Sequence, residues 1–168
     1  MKLSLGCDHG GYLLKEQVKA YLLSKGHEIV DCGTDSLESC NYPIFARKAA
    51  ELVANKECEL GIVICTSGEG VMMPANKVKG VRCGLAYNKE VCALSRQHNN
   101  ANMISIGAKY TSFETAIEYI ETFLSSSFEG GRHTLRVELI EQKWNKKRLL
   151  IKLVSIVFLF IIKYLKQQ

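Results

Sequence analysis

The stretch LGIVICTSGEGVMMPANK, residues 60–77, decides the fold. Its first six residues, 60–65, form a short apolar run rich in β-branched side chains, the pattern of a strand buried on both faces. Thr66-Ser67-Gly68-Glu69-Gly70 follows as a small glycine-bearing loop, and a helix is predicted from Val71. A strand, a glycine-rich loop and a helix start together aim several backbone N–H groups at an incoming anion. Cys65 closes the strand. A thiol there stands beside the electropositive start of a helix, a setting that favours the thiolate.

The flanking sequence alternates strands and helices without an internal repeat. Residues 2–7 (KLSLGC) read as a strand that runs into Asp8-His9-Gly10-Gly11. Residues 12–25 carry Leu13, Leu14, Val18, Tyr21 and Leu22 as a helical stripe, and Gly26 supplies the stop. A second strand spans 28–32 and a polar loop 33–41. Pro43 suits the first turn of a helix reaching about residue 55, with Ala46, Ala49, Ala50 and Val53 on one side. Further strands are predicted at 80–87 and 103–107, and helices at 89–97 and 113–124. His98 to Asn102 reads as a polar loop, and Gly130-Gly131 opens a last helix through Val137, Leu139 and Ile140. Five strands alternating with helices indicate an α/β fold with a parallel sheet. Right-handed crossovers gather the strand-end loops on one edge, and the loops at Asp8, Cys65 and His98 are expected to meet there.

Composition excludes several functions. The chain has 168 residues, enough for one domain with its own core, and a formal charge of +5. Six of its cations and none of its carboxylates lie in residues 144–168, which leaves 16 Lys+Arg against 17 Asp+Glu in the body. A body near −1 lacks the basic footprint of a nucleic-acid-binding domain. Two segments are therefore distinguished: a body, 1–143, and a basic, apolar extension, 144–168. The extension is almost wholly apolar from 149 to 162, and as a helix to residue 165 it reaches only about 25 Å. A bilayer core is about 30 Å thick, so membrane contact, packing on the body and a non-native extension are the three readings. The seven cysteines (Cys7, Cys32, Cys40, Cys58, Cys65, Cys83, Cys92) are odd in number and form no C-x-x-C, and no signal peptide precedes them. Free thiols in a reducing cytoplasm are expected, most of them serving as small core hydrophobes. No two of the four histidines share a ligand-like spacing, so no metal site is expected, and His27 reads as a surface residue.

Taken singly, the reactive side chains have plain readings. Cys65 is a buried strand-end thiol, His98 balances a helix dipole, Asp8-His9 is a turn, and Arg132 and Arg136 are a solvated helix face. Together they form a pattern. GCDHGG (6–11), ICTSGEG with ANK (64–77), SRQHNNAN (95–102) and EGGRHTLRVE (129–138) resemble, in order and spacing, the B-type ribose-5-phosphate isomerases. The wider family includes galactose-6-phosphate isomerase subunits and an allose-6-phosphate isomerase. The resemblance runs from the first strand to about Lys143 and has no counterpart after Trp144.

The resemblance implies a three-layer, Rossmann-like fold, with a parallel five-stranded sheet, helices on both faces and a C-terminal helix. It also implies a cytoplasmic aldose–ketose isomerase of pentose phosphate metabolism that uses no metal or other cofactor. Cys65 falls at the general base and His98, aided by Asp8, at the residue that opens the sugar ring. The N–H groups of Thr66, Ser67, Gly68, Glu69 and Gly70 fall where an enediolate is stabilised. Asn99 matches a substrate-contacting amide, and His9, Arg132 and Arg136 the phosphate-binding set. Family members are dimers or tetramers whose sites borrow His98 and Asn99 from a second subunit. Three departures stand out: Thr66 replaces a glycine, Glu69 an apolar residue, and Lys109 an arginine that contacts phosphate. Two alternatives accompany the pentose reading. One is a six-carbon sugar phosphate substrate; the other is a non-catalytic sugar-phosphate-binding module tethered by its tail.

Overall fold

The computed structural model describes residues 1–141. The extension 144–168, with any membrane contact through it, lies outside the described residues. Residues Met1–Val137 form one compact unit. Among the described residues no helix is long and apolar enough to cross a membrane.

Five parallel strands form one sheet: β1 (Lys2–Cys7), β2 (Glu28–Asp31), β3 (Leu60–Cys65), β4 (Cys83–Ala86) and β5 (Met103–Gly107), in the order β2-β1-β3-β5-β4. Six helices accompany them: α1 (Tyr12–Ser24), α2 (Tyr42–Ala54), α3 (Glu69–Ala75), α4 (Lys89–Asn99), α5 (Phe113–Ser125) and α6 (Arg132–Glu141). The expected α/β architecture is thus present.

Alternation along the strands sorts the core into two layers. Leu3, Leu5, Leu60, Ile62, Ile64, Ile104 and Ile106 face α1 and α5, where they meet Val18, Leu22, Ile120 and Phe123. Val63, Cys65 and Met103 face the opposite side, against Ala46, Ala49, Ala50 and Val53 of α2 and Val71 and Ala75 of α3. The small residues of α2 have a purpose. A Cβ on Gly6 of β1 would stand 3.1 Å from the Ala49 Cβ, so this helix lies as close to the sheet as alanine allows. Phe123 is fully buried, which at about 25 cal/mol per Å2 corresponds to roughly 2–3 kcal/mol of transfer free energy.

Three boundaries differ from expectation. Helix α3 starts at Glu69 rather than Val71, because Gly68 at φ +84° turns the chain and Glu69 suits the first turn. Strand β4 is shorter than 80–87, and Gly80 at φ +85° turns the chain before it. Helix α4 continues through His98 and Asn99, which therefore occupy its last turn instead of a loop. Nothing in that turn breaks a helix until Asn100, which caps it in the left-handed region at φ +46°.

Candidate active site

The strand order reverses between β1 and β3: the chain leaves β1 for β2 on one side and returns to β3 on the other. In open parallel sheets the crevice at that switch, beyond the strand carboxyl ends, is where ligands bind. Here it is formed by Asp8-His9, which follow β1, and Cys65-Thr66, which end β3 and follow it. The two turns are tied by the Asp8 N–H donating to the Ile64 carbonyl at 3.3 Å. Their closeness demands glycine. A Cβ on Gly10 would sit 2.1 Å from the Thr66 Oγ1, and one on Gly11 2.3 Å from the Ile64 oxygen. Asp8 is buried and its Oδ1 accepts the Gly11 N–H at 3.1 Å.

The loop after β3 is equally constrained. The Gly68 N–H donates to the Cys65 Sγ at 3.2 Å. Gly68 itself combines φ +84° with a Cβ position 2.6 Å from Leu85 Cδ1, and its carbonyl accepts from the Ser105 hydroxyl. Ser67 accepts the Glu69 N–H at 3.3 Å through its Oγ. Glu69, the departure that adds charge here, is exposed, as are Thr66 and Ser67. The end of β5 closes the third side, Ala108 and Lys109 donating their N–H groups to the Cys65 and Thr66 carbonyls at 2.8 and 3.1 Å. A cavity of ≈ 440 Å3 results, lined by His9, Gly10, Thr66, Ala108 and Lys109, with Leu13 and Leu37 at its apolar wall. Two cationic candidates for phosphate, His9 and Lys109, thus share one hollow with the Cys65 loop.

Sequence reading missed two neighbours of these turns. Tyr42 stands over the loop, its Cε2 3.6 Å from where a Gly70 Cβ would be, with the Cys65 Sγ 3.7 Å from the same point. Cys40 donates its backbone N–H to His9 Nδ1 at 3.3 Å, which leaves Nε2 as the proton-bearing nitrogen of the neutral ring. Neither signal is local in sequence. Both depend on loop 33–41 folding over the first turn.

His98 and Asn99 lie elsewhere. Helix α4 runs back from the carboxyl ends of the strands toward their starts, and His98 precedes β5 rather than following it. Cys65 pairs with Gly107, at the far end of β5 from Met103. Four strand steps of about 3.3 Å put ~13 Å of sheet between the two edges within one chain. The expectation that the Asp8, Cys65 and His98 loops share an edge is therefore corrected. In a parallel sheet, a residue that ends a helix and leads into a strand sits opposite one that ends a strand.

A second cluster forms at His98. The Arg82 side chain satisfies the end of α4, its Nε donating to the Asn99 and Asn100 carbonyls at 3.2 and 3.0 Å. The Glu129 N–H donates to the Gln97 carbonyl at 3.0 Å. Gly130 and Gly131, both at positive φ, then reverse the chain into α6. This brings buried His133 onto His98 as a parallel stack, with ring centroids 4.2 Å apart and planes at 7°. Arg132 donates its Nε–H to His133 Nε2 at 3.4 Å, while Arg132 and Arg136, one helical turn apart, remain exposed. Burial, together with His98, Arg132 and Arg136, pushes His133 below the usual histidine range. Ligand atoms of His98, Glu129 and His133 all lie within 4.8 Å of one another, a juxtaposition the sequence spacing did not reveal. The stack argues against a metal between the rings in this arrangement. An imidazole ligates in its own plane, and two nearly parallel planes share no point near the rings.

All seven cysteines are free. Burial pushes the Cys7 thiol up to about 12 and Cys92 to about 11, and it also raises Cys32, Cys58 and Cys83. These five behave as core hydrophobes.

Comparison with known proteins identifies the family. Residues 3–140 match the family described as Ribose/Galactose Isomerase. The chain is 40% identical over 147 residues to ribose-5-phosphate isomerase B of Escherichia coli (strain K12), spanning 86% of this chain and 99% of that protein. The ribose-5-phosphate isomerase B structure from Clostridium thermocellum superposes with a TM-score of 0.83 at 42% identity, covering 84% of this chain and 95% of that one. The Mycoplasma genitalium enzyme, solved with bound ribulose-5-phosphate, gives 0.80 at 37%, covering 83% and 93%. The chain therefore belongs to the ribose/galactose isomerase family.

Proposed function

We propose that this protein interconverts ribose 5-phosphate and ribulose 5-phosphate through an enediolate, with Cys65 as the proton carrier and no metal. The observation that supports it most directly is the hollow at the β1/β3 switch, where His9, Lys109 and Thr66, the residue after Cys65, line one cavity beside the turn of buried Asp8. The phosphate is bound by His9, Lys109, Arg132 and Arg136, the arginines acting as forks for a dianion. His98 gives a proton to the ring oxygen while Asp8 takes the one leaving the anomeric hydroxyl, so the furanose opens to the aldehyde, and Asn99 holds a sugar hydroxyl. The Cys65 thiolate then takes the proton from C2 of the free aldehyde, and the electron pair forms the C1–C2 double bond with charge on O1. Within the loop Thr66 to Gly70, the N–H groups not engaged by the Cys65 sulfur and the Ser67 hydroxyl stabilise that oxygen, and exposed Glu69 leaves its charge to solvent. Return of the proton to C1, with the O2 proton passing to O1, yields the ketose.

Because the two groups of residues occupy opposite edges of one sheet, a site that contains both takes them from two copies of the chain. A homodimer or tetramer with shared sites is part of the proposal. The family's description also covers six-carbon substrates, and substrate length depends on the depth of the hollow against the second copy.

The test is turnover by the full-length chain across five- and six-carbon aldose phosphates, with and without a chelator. Ribose 5-phosphate is expected to be the best substrate and the chelator without effect. Cys65→Ala should abolish turnover while ribulose 5-phosphate still binds by calorimetry. Binding without any turnover in the wild type would instead favour a sugar-phosphate-binding module.

A further inference from the structure

The reading of His98 as ring-opening acid leaves its two nearest partners, Glu129 and His133, without a role. Both are placed with care. Glu129 is pinned by its own N–H on the Gln97 carbonyl at 3.0 Å, and its Oε2 stands 3.6 Å from His98 Nε2, an ion pair when the ring is protonated. The paired left-handed glycines then carry the chain round so that His133, two residues after them, covers the ring face. His133 N–H donates back to the Gly130 carbonyl at 3.0 Å, which locks the reversal. Its Nε2 accepts from Arg132, so the neutral ring carries its proton on Nδ1, and the adjacent arginines oppose a second proton there. A neutral stacking partner and an edge-on carboxylate fix both the tilt and the rotation of an imidazole that is otherwise one-third exposed, at 34%. A histidine in the last turn of a helix has no such restraint from its backbone.

We propose that Glu129 and His133 are positioning residues that seat the His98 imidazole for ring opening, Glu129 by facing its Nε2 and His133 by stacking on its face. This deepens the proposed function and rests on His98 opening the ring. The proton given to the ring oxygen comes from His98, and Glu129 forms no bond to substrate. The seat acts on one step only. Ribose 5-phosphate must be opened before isomerisation, whereas ribulose 5-phosphate cannot close to a furanose, because its 5-hydroxyl is esterified. Exchange of its C1 proton with solvent needs Cys65 but not His98.

The experiment compares two rates in full-length wild type, Glu129→Gln, Glu129→Asp and His98→Asn: turnover of ribose 5-phosphate, and deuterium wash-in at C1 of ribulose 5-phosphate. E129Q is expected to lose roughly tenfold or more in the first, part of the about 10²–10⁴-fold that a positioned proton donor supplies. Wash-in should stay within about twofold of wild type, and E129D should recover part of the turnover. Equal losses in both rates, or no loss in either while H98N is impaired in turnover, would overturn the inference. If H98N turns over ribose 5-phosphate normally, the ring-opening assignment of His98 fails instead. Thermal melts of each variant separate misfolding from misplacement.

Discussion

At the level of single residues, the Cys65 loop is governed by one backbone conformation. Gly68 holds φ +84°, donates to the Cys65 sulfur and leaves no room for a Cβ against Leu85 and the Gly107 nitrogen. Gly68→Ala should cost about 2 kcal/mol in urea unfolding, from left-handed strain plus overpacking, and lower kcat by moving the N–H away from the thiol. A kcat at the wild-type level in a destabilised G68A would separate the loop geometry from the chemistry. In the proposed function Lys109 is the counterpart on the phosphate side. It keeps a cation where an arginine is common, but as a point charge rather than a planar fork. Lys109→Ala is expected to raise KM for the sugar phosphate roughly tenfold with a smaller change in kcat, the pattern of lost uniform binding. A fall in kcat with KM unchanged would remove Lys109 from the phosphate set.

Between elements, α1 is fastened to β2 by charge as well as by apolar contact. Lys15 is almost fully buried, yet its Nζ reaches Asp31 at 2.8 Å and also Glu16, and Lys19 joins Asp31 at 2.8 Å. Burial works against the carboxylate, but the hydrogen bonds from Lys15 and Lys19 prevail and hold Asp31 below its ordinary range. The same contacts raise Lys15 against the pull of burial. Asp31→Asn should cost about 2 kcal/mol at pH 7, because it leaves the buried Lys15 ammonium with Glu16 as its one carboxylate. The sign with pH follows from the depressed carboxylate. Its contribution is complete above the unfolded value near 3.8 and is lost as pH falls through the lower folded value. Denaturation midpoints of wild type and D31N should therefore begin to approach one another below about pH 4 and meet only below the folded value. A constant gap would assign the loss to packing instead.

At the scale of the whole molecule, Cys65 and His98 are separated by the length of the sheet, so the proposed function requires association of two copies. Mixing the two inactive variants C65A and H98N, co-expressed so that subunits pair at random, should restore about a quarter of wild-type turnover. Each hybrid dimer would hold one site with both changes and one with neither. No recovery, with hybrids verified by mass spectrometry, would mean that each site is built within one chain.

Much of this was legible in the sequence, for reasons that are local. The apolar run 60–65, the glycines after it and the alternation of strand and helix periods determine an α/β sheet, because each depends only on neighbours along the chain. The four motifs identify the family by the same token, and they name Cys65, His98 and the arginines as a set. What the sequence could not determine is which members of that set meet. Whether a loop precedes or follows its strand decides the sheet edge it occupies, and α4 extends far enough to place His98 on the edge away from Cys65. Glu129 and His133 escaped notice because their partner lies 31 and 35 residues earlier in the chain. Only the fold, which pins Glu129 to Gln97 and turns the chain at Gly130-Gly131, brings them onto the His98 ring.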